Sequence, residues 1–383
     1  MNILLVMELV GSLLLNGYTG FHLARGGWHG IPRQTAVGLA SLGVSGEVCS
    51  LGSVSLRFLY FDLLRGSRHT ASYTPYLQEA SATLRLRPGL RLTVGHQLLS
   101  YRDGFFLTDI GDGMDAVRVS WAVPWQWKAD FFYVLEGSRI FGDRPTGDFA
   151  GLYLNRRGLD LYAALRTDGT GTAWLGGRWE GRHRTLHLTA EAVGRYRADR
   201  VAPAFQVALR QQGLRHTLGL GLYYLAPAWQ KPVSYPSVVD NYYNGWTAFG
   251  EALNWVVLPL ELAPLVSSAS AGDPYAVYWP DPHNLWVVNL LGSRRGGMGT
   301  LRTDLFAFGL AQDPETGRKG VLLGPEAALT ATVSCEGFTV GLAAGVFLPT
   351  GDGKRLLGTS RPAWNLRIWS FAPFELRLGE APF

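Results

Sequence analysis

The sequence predicts an all-β transmembrane barrel of about eighteen antiparallel strands, and three observations carry that reading. Hydropathy alternates with a period of two residues. Tight Gly- and Pro-bearing turns alternate with longer links along the chain. No uninterrupted apolar run approaches the roughly 18–20 residues that a membrane helix needs.

Composition agrees. The 383 residues are 47% hydrophobic, yet mean hydropathy is only +0.05. A barrel produces that balance because lipid-facing and lumen-facing residues alternate and cancel. The net charge of +5 comes from Lys and Arg spread through strand-like segments. A nucleic-acid binder gathers such residues on one face or in one run, so no nucleic-acid partner is expected. Cys49 and Cys335 are far apart and lack CxxC spacing, which predicts neither a disulfide framework nor a metal knuckle. Met1 to Leu15 is apolar but has no basic start or small-residue cleavage site, and Glu8 interrupts it. It reads as first strand rather than signal peptide, which suggests a mature chain behind an added or mis-assigned start Met.

Alternation places the strands, in order, at 7–24, 34–48, 53–64, 76–87, 90–101, 114–123, 126–137, 148–156, 159–167, 172–181, 185–197, 202–211, 214–226, 284–294, 299–311, 321–334, 338–349 and 362–372. Leu90-Arg91-Leu92-Thr93-Val94 shows the pattern, with Leu and Val on one face and Arg and Thr on the other. Leu186 to Ala192 repeats it. Tight turns fall at 87–89, 123–125, 156–158, 180–182, 211–213 and 335–337, and longer links at 65–75, 102–113, 138–147, 227–283, 312–320 and 350–361. Short periplasmic turns and long external loops are what an outer-membrane barrel requires, and an even strand count puts both termini on the periplasmic side. The whole chain, 1–383, reads as one domain. The link 227–283 is rich in Trp, Tyr and Pro, with a short helix predicted over 247–258. It reads either as a plug or lid over the pore or as a loop folded on its own aromatics.

With the apolar register against lipid, the other register faces the pore. That places Arg57, Arg85, Arg87, Arg91, Arg118, Lys128, Arg166, Arg178, Arg195, Arg210, Arg302 and Arg367 inward, with Gln97 among them. The inward acids are Glu79, Asp130, Glu136, Asp160, Glu191, Asp304 and Glu326. Basic side chains are in excess, most densely at Arg85, Arg91 and Arg118. A cationic ladder would lower the barrier for carboxylate solutes, whereas paired Arg and Glu would brace the wall. Arg178 and Glu191, on adjacent strands, read as a bracing pair. His96 falls in the lipid register unless a bulge re-aims it.

Three stretches carry a family resemblance. Gly95-His96-Gln97-Leu98-Leu99-Ser100-Tyr101-Arg102-Asp103 precedes Met114-Asp115-Ala116-Val117-Arg118; Leu175-Gly176-Gly177-Arg178 precedes Ala190-Glu191-Ala192; and Leu323-Gly324-Pro325-Glu326 precedes Gly345 to Gly351. Together they resemble the alginate-export family of outer-membrane porins, with His96 standing where the family has Arg and Arg102 where it has Gly. The resemblance implies a monomeric eighteen-strand barrel in the outer membrane of a Gram-negative-type bacterium. It also implies an arginine-lined constriction that passes anionic saccharides of the uronate type by diffusion. The alternative reading is a general diffusion porin, or a channel for small organic acids or neutral sugars. No enzyme is expected, since His187 and His216 lie in strands without a nucleophile motif. No cofactor is expected either. Asp109, Asp112 and Asp115, read as an external loop, suit Ca²⁺ or equally a set of Asp-Gly turns.

Overall fold

A computed structural model describes residues 10–28, 31–48, 51–65, 68–101, 108–137, 148–167, 169–198, 200–229 and 283–378. Among them are eighteen strands. These are β1 Val10–Trp28, β2 Ile31–Val48, β3 Gly52–Arg65, β4 Arg68–Arg87, β5 Leu90–Ser100, β6 Thr108–Val123, β7 Trp127–Gly137, β8 Phe149–Arg156 and β9 Leu159–Arg166. They continue as β10 Ala173–His183, β11 Leu186–Arg197, β12 Arg200–Gln212, β13 His216–Leu225, β14 Leu285–Gly296, β15 Gly299–Gln312, β16 Lys319–Cys335, β17 Phe338–Phe347 and β18 Ala363–Leu378. Each pairs antiparallel with its neighbours in sequence, and β1 pairs with β18 from Leu13↔Leu378 to Gly27↔Trp364. The sheet is closed, so no strand presents an unpaired edge to lipid.

Burial is inverted relative to a soluble protein. Leu218 is 61% exposed and Leu175 58%, and Leu290, Leu305, Leu329, Leu342 and Leu366 are exposed at alternate positions around the outer wall. A continuous apolar exterior of that extent has no place in water. It suits hydrocarbon, and Trp121, Trp125, Trp179 and Phe338 near the tight turns, with Trp364 at the opposite end, form the rims that border it. No helix among the described residues is long and apolar enough to cross a membrane; the chain crosses with strands.

All eighteen expected strands are present, with shifted ends. Arg157-Gly158 and Glu336-Gly337 turn β8 into β9 and β16 into β17 with φ of 40° and 86°, and 46° and 85°. Positive φ at both central residues matches the twist of the flanking strands, and Gly takes it without strain. The β10–β11 turn lies at Arg184-Thr185 rather than 180–182, because cross-strand pairing runs on to His183↔Leu186. The long link expected at 65–75 contracts to 66–67, and β4 starts at Arg68. The β3–β4 pairing slips register at three points, between Arg57 and Phe58, Leu59 and Phe61, and Leu63 and Leu64. The β1–β2 and β11–β12 links are also two residues long. Alternation of direction survives, but strict alternation of length does not.

Residues 102–107, 138–147 and 230–282 lie outside the described residues, so the expected helix at 247–258 and the lid reading of 227–283 do too, as does Cys49. Cys335 is a free, exposed thiol. The closed ladder carries a direct expectation. Unboiled protein in dodecyl sulfate migrates ahead of boiled protein, and its circular dichroism is dominated by strand; a helical spectrum or unchanged migration on boiling would overturn the barrel.

Candidate functional site

The lumen wall is built by register. In β10 and β11 the apolar outer positions Leu175 and Trp179 alternate with Trp174 and Arg178, and Arg178 stands opposite Glu191. Arg178 lies 3.6 Å from Glu191 and 3.6 Å from Glu180. Glu191 also accepts from the Tyr162 hydroxyl at 2.6 Å and the Gln206 amide at 2.6 Å, while His187 Nε2 meets Glu180 at 2.7 Å. Arg178 and Glu191 thus form the buried contact that a brace requires, and stranding either member of such a pair costs on the order of 3–5 kcal/mol. On β14 and β15, Asp304 accepts from Asn289 at 3.2 Å and from Arg302 at 2.8 Å. Arg57 donates to Asn16 at 3.1 Å and lies 4.0 Å from Glu79. Asn155 donates to Asp160.

The two signs of charge are buried unequally. Asp160, Asp304 and Glu326 are each 1% exposed and Glu191 6%. The basic side chains are wetter: Arg85 44%, Arg57 26% and Arg302 21%, with Arg91 and Lys128 exposed. These four carboxylates are buried in the wall, as is Arg178, whereas Arg91, Lys128 and Arg85 beside its exposed partner Glu47 keep surface on the water a solute crosses. Field at the pore axis depends on this placement more than on the net count.

The sequence-predicted residues divide accordingly. Arg91 makes no side-chain hydrogen bond or ion pair among the described residues. It stands opposite Ser120, one row from the Thr93↔Arg118 pair. Arg118 and Asp130 flank Tyr101, whose ring stacks on Phe132 and Tyr153 at centroid distances of 5.5 and 4.4 Å. Arg85 lies opposite Arg91 but is taken up by Glu47 across the intervening strand. Arg166 and Arg367 are half-buried in the inward register. Arg195 donates to the Ala228 carbonyl at 2.7 Å, tying the start of the long link to the wall.

Several expectations are corrected. Gln97 is inward but only 2% exposed, and its amide donates to the Ala116 carbonyl at 2.8 Å. That bond ties the side chain to the β6 backbone beside the register shift between Asp115 and Ala116. Arg87 stacks on outward Trp121, 5.8 Å from its ring centroid, because a bulge separates it from Arg85. Asp109, Asp112 and Asp115 lie in β6, not in an external loop. Asp115 pairs outward with His96 at 2.9 Å, so His96 keeps the lipid register and gains a partner there. No cluster of three metal-ligating residues occurs among the described residues.

Sequence reasoning missed the external mouth. Between β17 and β18 a seven-residue helix, α1 Gly351–Leu357, folds against β16 and sets Leu357 in the buried cluster with Leu323 and Phe347. Gly353 permits this, since a Cβ there would run into the Leu323 carbonyl. Thr350 Oγ1 donates to Leu322 and Leu323 carbonyls at 3.0 and 3.1 Å, and Leu357 is buried. Arg355 clamps Asp313 and Glu315 of the β15–β16 link, and Arg318 reaches back to Asp352. Burial pushes the Asp313 carboxyl up, but backbone N–H groups of Glu315 and Thr316 and the Arg355 guanidinium outweigh it and hold it at about 2. The only signal was Asp352 and left-handed Gly358 bracketing a segment too short to show helical period.

No family model matches the chain, and no curated protein does. Solved structures do. OccAB4 of Acinetobacter baumannii superposes with a TM-score of 0.62 at 10% identity, over 96% of this chain and 99% of that one. OccK2 (OpdF) of Pseudomonas aeruginosa gives 0.61 at 14%, over 95% and 98%. A structure of OccK2 in complex with glucuronate gives 0.58 at 13%, over 95% and 98%. These likenesses, all at 14% identity or less, show a shared fold over 95–96% of the chain. What they share with this chain is the barrel fold; the finer resemblance to the alginate-export family is not shown by them. Its motifs combine lumenal Arg and Glu with Gly at close approaches, which any barrel of this build needs.

Proposed function

We propose that this barrel is a passive outer-membrane channel for small carboxylate-bearing solutes rather than an exporter of uronate polymers. One observation carries the reading: four inward acids, Asp160, Glu191, Asp304 and Glu326, are buried while inward Arg91 and Lys128 are exposed to the water path. Guanidinium stays charged at any working pH and matches a carboxylate with its fork. A helix packed on β16 at the mouth favours small cargo over polymer. The glucuronate complex of OccK2 supports the same class.

Proteoliposome swelling tests it. Glucuronate is expected to enter several-fold faster than glucose, a neutral ring of similar size, and long uronate oligomers not to enter. Equal rates for glucuronate and glucose would favour the general diffusion reading, and rapid polymer entry would restore the exporter.

A further inference from the structure

The lipid-facing wall carries a shallow apolar notch of about 480 Å³ between β11 and β15. Gly292 makes it. On β14, Leu290, Gly292 and Arg294 share one register, directly opposite Leu220, Leu218 and His216 of β13. Leu218, Leu220 and Leu290 are exposed on the outer face, so the same register carries Gly292, Arg294 and His216 outward. A Cβ at Gly292 would meet only the Leu218 side chain, at 3.9 Å. Leu209 and Leu305 complete the walls.

Two residues further toward the tight turns the register changes character. His216 and Arg294 are exposed beneath the notch, with Arg215 and Arg295 exposed on the same rim. No Asp or Glu occurs in 209–220 or 290–303. The turn tips themselves are apolar, Leu214 fully exposed and Met298 65% exposed. Apolar tips among arginines belong at the depth where acyl chains give way to headgroups. This end carries the β12–β13 and β14–β15 turns and lies on the side of both chain termini, the periplasmic side of an even-stranded barrel, so the notch opens to the inner leaflet.

We propose that this sector binds one anionic phospholipid of the periplasm-facing leaflet, an acyl chain lying in the notch and the phosphate meeting Arg294 and His216. Arg forms paired hydrogen bonds to phosphate oxygens, and a cation beside an empty apolar slot distinguishes this sector from ordinary lipid contact. The site is independent of what the pore conducts.

Native mass spectrometry of the detergent-purified barrel, mixed separately with phosphatidylglycerol and phosphatidylcholine of identical chains, tests it. One phosphatidylglycerol is expected to remain bound at activation that strips phosphatidylcholine. Filling the notch by Gly292→Phe, or removing the rim by Arg294→Gln with His216→Gln, should each lower its retention several-fold while heat-modifiable migration persists. Equal retention of the two lipids would overturn the proposal. So would wild-type retention in either variant, or lipid-free dimers, which would assign the notch to a second copy of the chain.

Discussion

Replacing Arg91 and Arg118 together with Ser is expected to lower anion-over-cation permeability several-fold, read as a shifted reversal potential under a salt gradient. The two side chains stand in adjacent cross-strand rows of β5 and β6, one opposite Ser120 and the other opposite Thr93. Arg91 has no ion-pair partner among the described residues, whereas Arg85 is engaged by Glu47, so it is Arg91 that leaves uncompensated charge on the water path. A lumen walled by low-dielectric protein screens poorly at low salt, where the Debye length is about 10 Å at 0.1 M. Selectivity of the unmodified channel should therefore fall as salt rises toward 1 M, where that length is about 3 Å. Neither Ser leaves a buried charge stranded in the way an Arg178 substitution would, so migration on gels should be unchanged. Cation preference in the unmodified protein, or no shift in the double variant, would reduce these arginines to wall braces and remove the chief support for carboxylate transport.

Much of this was legible because a barrel wall obeys one rule. Each strand is lipid on one face and water on the other, so a period of two reports orientation as well as structure. Arg178 opposite Glu191 and the outward register of His96 follow from that rule alone. Bulges break it. Arg87 leaves the lumen because a single extra residue separates it from Arg85, and a bulge leaves no mark in composition. Charge counting had a second blind spot. It weighed inward Glu326 and inward Arg91 alike, yet burial removes one from the solute's field and leaves the other in it. Burial inside a lumen depends on which inward aromatics cover which carboxylates, as Tyr162 does for Glu191, and that is set by stagger between strands. The mouth was unreadable for another reason: α1 is held by contacts between two separate links, Arg355 to Asp313 above all, and neither link betrays the other.

That clamp yields the second large effect. Arg355→Ala is expected to free α1 from the β16 wall and convert a steady single-channel current into one with frequent conductance steps. Asp313 has no exposed side-chain surface, so deleting its guanidinium partner leaves a buried carboxylate held by the Glu315 and Thr316 backbone N–H groups and the Thr316 side chain, with no cation beside it. Such a group either drags the link open to reach water or takes up a proton. The pH dependence follows from the sign of the shift. The carboxyl is depressed from 3.8 to about 2 in the folded mouth, so its contribution to docking is complete above 3.8 and is lost as pH falls through about 2. The unmodified channel should thus be steady from neutral pH down to 4 and become noisy only near 2. In the Arg355→Ala variant the carboxyl loses a partner that lowers it, and any residual docking should fail at higher pH than in the parent. Gly353→Leu attacks the same contact from the helix side, because its side chain has no room against the Leu323 carbonyl, and should reproduce the noise at every pH. Steady currents in both variants would mean that α1 does not border the conducting path.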